Sequence, residues 1–85
     1  MNKHIEITRH LTVDGKTTFY VVEKSKNSSS IIWNGTCKQA AYQVAYRNAR
    51  KENTPLYDTL YKAEIDRNGV KHIIPIGNEL LEVNN

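Results

Sequence analysis

The chain is 85 residues long, with 39% hydrophobic residues, 25% charged residues and a formal net charge of +3. That is enough apolar material for one core and too little for two, so a single domain over residues 1–85 is expected. No apolar run reaches the roughly 18 to 20 residues that a bilayer crossing needs, and a single cysteine, Cys37, excludes both an internal disulfide and a thiolate metal cage.

The opening MNKHIEITRH has neither the apolar core nor the cleavage site of a secretory signal, and the expected location is the cytoplasm. From Lys3 to Val13, Ile5, Ile7, Leu11 and Val13 alternate with His4, Glu6, Thr8, His10 and Thr12, a period of two that predicts a strand. Asp14-Gly15 predicts a tight turn into a second strand over Thr17 to Lys24. A two-residue loop would align Tyr20 and Val22 with the isoleucines; a three-residue bulged loop aligns Phe19 and Val21 and is preferred because it buries the phenylalanine. The polar run SKNSSS predicts a flexible connection, followed by a short third strand, Ile31 to Trp33.

Gly35 to Lys51 reads as one amphipathic helix. Thr36 is placed to cap it, with Gln39 at capping-box spacing. Cys37, Ala40, Ala41, Val44 and Ala45 form the expected packing stripe, with Ala49 at its margin. Gln39, Gln43, Arg47 and Arg50 project on the far side, and Tyr42 and Tyr46 line one border. Thr54-Pro55 allows one helical turn at most. Asn68-Gly69 predicts a two-residue hairpin turn that sets Ile65 opposite His72, Ala63 opposite Ile74, Tyr61 opposite Ile76 and Asp66 opposite Lys71. Pro75 marks an edge strand or its end, and the tail from Gly77 is read as one helical turn around Leu80 and Leu81 or as irregular. The expected fold is therefore α+β, a mostly antiparallel sheet in the order β-β-β-α-β-β with one helix packed on one face.

Three short strands followed by a helix opening Thr36, Lys38, Gln39, Ala40, Ala41 resemble the arm-binding domains at the front of phage integrases, which lay a three-stranded sheet in a DNA groove. The resemblance covers about half the chain. The long terminal hairpin departs from it, and no functional residue is carried across.

Catalytic patterns are missing from the sequence. The four glycines are isolated, with no phosphate-binding spacing. His4, Glu6 and His10 share a strand face, but six strand residues separate the histidines by about 20 Å, too far for one ion. Cys37 sits at the first helical position, where amides favour a thiolate, but on the packing stripe it is expected to be core filler. Glu64 and Asp66 share a face with nothing between them to activate. No enzyme, metal or cofactor is expected.

Charge is more informative. Residues 1–53 carry nine Lys or Arg against four acids, a balance of +5, while the remainder carries three against five, a balance of −2. Such asymmetry attracts polyanions. The expected function is a small non-enzymatic protein that binds nucleic acid, DNA or RNA, through Lys24, Lys26, Lys38, Gln43, Arg47, Arg50 and Lys51, with Tyr42 and Tyr46 as partner-contacting rings and Tyr20 or Trp33 also available to stack on bases. The alternative is a protein-binding accessory or inhibitor factor of phage or mobile-element type, acting on a host complex through the uncovered sheet face or an edge strand; a homodimer burying that face is a third possibility.

Overall fold

The computed structural model describes residues 3–83. It is an α+β structure of five strands and one helix: β1 His4–Leu11, β2 Thr17–Lys24, β3 Ser29–Gly35, α1 Lys38–Glu52, β4 Leu56–Ile65 and β5 Lys71–Leu81. The strands form one sheet in the order β3-β2-β1-β4-β5. All neighbours are antiparallel except β1 and β4, which run parallel at the centre.

The first hairpin takes the bulged form. Ile7 faces Val21 and Arg9 faces Phe19, and Thr12 donates its amide to the carbonyl of Lys16 across a three-residue loop closed by Gly15 at φ 86°. A positive φ of this size suits only glycine without strain. The second hairpin closes the same way instead of by the expected two-residue turn. The Asp66 amide donates to Val70, and Gly69 takes φ 78°. The reason is Asp66, whose Oδ1 accepts the amides of Asn68 and Val70, both at 2.9 Å. The ladder therefore shifts by one residue: Ile65 faces Lys71, Ala63 faces Ile73 and Tyr61 faces Pro75. Asp66 pairs with His72 at 2.8 Å, not with Lys71, and His72 is exposed.

Beyond Pro75 the strand continues. A bulge at Ile76 absorbs the proline, and pairing resumes from Gly77 opposite Leu60 to Leu81 opposite Leu56, so the tail is strand where a helical turn was considered. β3 is likewise longer than expected, reaching Gly35 opposite Phe19. That extension removes Thr36 from the helix cap. The N-cap is Cys37, with no side-chain cap bond, and α1 starts at Lys38. Cys37 is exposed, not core filler.

At its other end α1 stops at Asn53, in the left-handed region at φ 52°. The Thr54 amide reaches the Ala49 carbonyl and the Asn53 amide that of Arg50, the two bonds of a Schellman ending. Ala41, Ala45 and Ala49, one turn apart, are the buried face. Small side chains there let the helix axis sit close to Ile5, Ile7, Phe19, Val21 and Leu56, which form the core with them. Asp58, also on this side of the sheet, is buried and accepts from Arg9 Nε at 2.7 Å and from the Tyr42 hydroxyl at 2.6 Å. The helix is thus fixed to β1 and β4 by a charged cluster as well as by packing.

Candidate nucleic-acid interface on the open sheet face

The strand alternation that buries Ile5 and Ile7 under the helix sends His4, Glu6, Thr8 and His10 to the opposite, uncovered side. Register then decides their company. Thr8 lies between Tyr20 of β2 and Thr59 of β4, and His10 between Thr18 and Tyr61. His10 stacks on Tyr61 with ring centroids 5.2 Å apart and planes 19° from parallel, and meets Tyr20 edge-on at 5.2 Å. His4 and Tyr57 make a further edge contact at 5.1 Å. Three neighbouring strands thus carry a continuous row of half-buried rings, Tyr20–His10–Tyr61.

The row borders two depressions. The larger, of about 390 Å³, is lined by Glu6, Thr8, Val22, Lys24 and Ile31 with all three rings. The smaller, of about 140 Å³, lies on the far side of His10 and Tyr20, towards Thr18, Lys71 and Ile73. Burial, reinforced by the nearby positive charge of Lys71, holds the His10 imidazole below its ordinary pKa and keeps it neutral near pH 7.

Among the described residues, Glu6 is the one strand carboxylate that the register puts on this side, and it is 7% exposed. Lys24 Nζ approaches its Oε2 at 2.9 Å, Thr8 Oγ1 donates to the same oxygen at 2.9 Å, and Thr59 Oγ1 donates to Oε1 at 3.1 Å. Burial alone would push this carboxyl up, but the bond and charge of Lys24 and the two hydroxyls together outweigh it and hold the group below its ordinary pKa. The open face therefore offers aromatic and apolar surface, a cation towards either end and, among the described residues, no exposed strand carboxylate.

The residues singled out from the sequence fall into separate places. Gln43, Arg47, Arg50 and Lys51 are exposed on the outer side of α1, and among the described residues none of the three cations has an ion pair. Lys26 is exposed in the β2–β3 loop. Lys38 lies at the opposite end of the helix, with Nζ 5.9 Å from the Tyr42 ring, and lines a cleft with Arg9 and Phe19. Lys24 is on the other side of the sheet, held by Glu6. Tyr42 and Tyr46 are half-buried against the core, and Trp33 packs there too. The hydroxyl of Tyr42 is committed to Asp58; burial first and that carboxylate second push it up to about 12. These rings belong to the helix–sheet seam.

Tyr61 and Lys71 were missed because their place depends on the parallel pairing of β4 with β1, which joins segments about fifty residues apart. The polar side of β1 was the available signal: His4, Glu6, Thr8 and His10 were already aligned, without their neighbours.

Comparison with protein-family models, curated proteins and solved structures finds no match to this chain. No helix among the described residues is long and apolar enough to cross a membrane.

Proposed function

We propose that the chain is a non-enzymatic module that binds single-stranded nucleic acid, with the open sheet face as its base-stacking surface. One observation carries this reading: the Tyr20–His10–Tyr61 row spans three adjacent strands on a side whose only strand carboxylate among the described residues is buried and paired with a lysine. Unpaired bases stack on such rings without regard to sequence, each contact contributing about 1–3 kcal/mol. Duplex offers no free base plane to them. Lys24 and Lys71 at the margins suit the backbone phosphates, while Arg47, Arg50 and Lys51 on the far side add a long-range attraction that raises the encounter rate. A lone cysteine suits the reducing cytoplasm as the place of action.

The test is fluorescence anisotropy with labelled single-stranded DNA, single-stranded RNA and duplex at two salt concentrations. Single strands are expected to bind more tightly than duplex, with affinity falling as salt rises. Tyr61→Ala should weaken single-strand binding by about 5- to 150-fold, whereas the double change R47E/R50E should act through a smaller salt slope. Absence of binding to any single strand at low salt, with the protein folded, removes the reading.

A second reading, a protein-binding accessory or inhibitor, draws support from the β5 edge. Ile73, Ile74, Ile76 and Leu80 are 36–63% exposed along an 11-residue strand with one unpaired side. Such an edge can accept a strand from a partner. Recovery of one stoichiometric protein on the tagged chain after nuclease treatment, lost on Ile74→Lys, would favour it.

A further inference from the structure

The floor of the larger depression differs chemically from its walls. Around Glu6 and Thr8, each 7% exposed, the lining is rings and aliphatic side chains: Tyr20, His10, Tyr61, Val22 and Ile31. The floor is Glu6 with Thr8, whose hydroxyl hydrogen is spent on Glu6 Oε2. Its remaining lone pairs, like the carboxylate oxygens, only accept. Once Lys24 leaves Oε2, a flat group slotted against the rings therefore meets acceptors at its inner edge.

Resting on the stacking reading above, we infer that Glu6 is a base-reading residue: the depression takes one nucleobase and selects those with an amino group on the edge turned to the carboxylate. Cytosine, adenine and guanine each offer such hydrogens. Thymine and uracil carry a carbonyl oxygen at the corresponding place and set lone pair against lone pair. Lys24 makes the exchange electrically feasible. Its side chain is 38% exposed while that of Glu6 is 9% exposed, so the ammonium can swing outward onto the phosphate of the incoming nucleotide while the amino group takes its place on Oε2. The nucleotide brings its own negative charge for the lysine to neutralise. The carboxylate keeps its hydroxyl donors from Thr8 and Thr59 throughout. A buried acid at the centre of a polyanion-binding face thus has a role that its cost would otherwise oppose.

The experiment compares labelled oligo-dC, oligo-dA and oligo-dT of equal length with the full chain, wild type and Glu6→Gln. The wild type is expected to bind oligo-dC and oligo-dA at least about fivefold more tightly than oligo-dT. In Glu6→Gln, whose amide both donates and accepts, the gap should close to within about twofold. Equal wild-type affinities for all three overturn the inference while leaving the stacking reading intact; so does an undiminished preference in Glu6→Gln. Failure of every oligonucleotide to bind removes both. Should Glu6→Gln not fold, as read by circular dichroism, the wild-type ranking decides by itself, and Lys24→Gln offers a second variant, expected to lower affinity for all three sequences while keeping their order; loss of the order there overturns the exchange.

Discussion

Under α1, Ile5, Ile7, Val21 and Leu56 are fully enclosed, whereas Ile65, Ile73 and Ile76 of the β4–β5 hairpin are 51%, 48% and 51% exposed. The same residue types thus serve opposite ends of the molecule in different ways. The helix has 15 residues and is about 22 Å long, against a longest molecular dimension of 46 Å. It packs on β1 to β4 and meets β5 only near its end, where Leu81 packs against the core beside Ala49. The hairpin end holds its shape through its backbone ladder and the Asp66 carboxylate, which gathers the amides of Asn68 and Val70 and the ring of His72. Stability is accordingly concentrated in the covered part, and the hairpin tip is the place where local opening costs least.

The sharpest way to break this contrast is to remove a side chain from each region. Ile7→Ala, beneath the helix, is expected to lower unfolding free energy by about 2–5 kcal/mol, read by urea denaturation followed by circular dichroism. A loss under about 1 kcal/mol would mean that the helix does not cover the sheet as described.

Next in size is Asp58→Asn, which leaves the Arg9 guanidinium without its carboxylate and should cost about 1–3 kcal/mol. The same cluster gives an alkaline signature. The Tyr42 hydroxyl has an ordinary pKa of 10 and is raised to about 12 in the fold, so the folded state holds this proton more tightly than the unfolded chain. Its contribution is fully present below pH 10 and is lost as pH rises through about 12. Phenolate absorbance should show the Tyr42 ionisation at about pH 12, and Asp58→Asn should bring that titration down.

A smaller effect is expected at the loops. A Cβ at Gly69 would meet nothing within 4 Å, yet φ is +78°, so Gly69→Ala carries only the left-handed conformational cost of about 1–2 kcal/mol. Because this loop lies at the weaker end, amide exchange in β5 should rise more than in β1. Smallest of all, Ile76→Ser should change monomer stability by no more than about 0.5 kcal/mol. A larger loss, or one that depends on protein concentration in sedimentation, would point to a covered β5 edge.

Local chemistry was legible in the sequence wherever one segment specified its own neighbours. The alternation of Ile5 and Ile7 with Glu6 and Thr8, and Ala41 and Ala45 as the buried helix face, follow from spacing, while the bulged first hairpin, open by spacing, follows from the need to bury Phe19. Two kinds of feature did not. Caps and turns with nearly balanced alternatives were decided by their surroundings: the Asp66 acceptor moved the second hairpin by one residue, and the extension of β3 to Gly35 took the cap from Thr36 and left Cys37 exposed. The parallel union of β1 with β4 has no local signature at all. It carries Tyr61 to His10, which moved the candidate interface from the arginine side of the helix to the bare side of the sheet.

That union also divides the chain into two locally paired pieces. β1, β2 and β3 zip through short loops, and β4 and β5 through another, each able to search its register independently. Joining them along one central seam requires closing the connection between Gly35 and Leu56, about twenty residues with α1 inside it, an entropic penalty repaid only when Leu56 arrives beside Ile5. Docking of the preformed halves is thus the natural bottleneck in assembly, and the tyrosine–histidine stack, which straddles the seam, would come into being only at that last step.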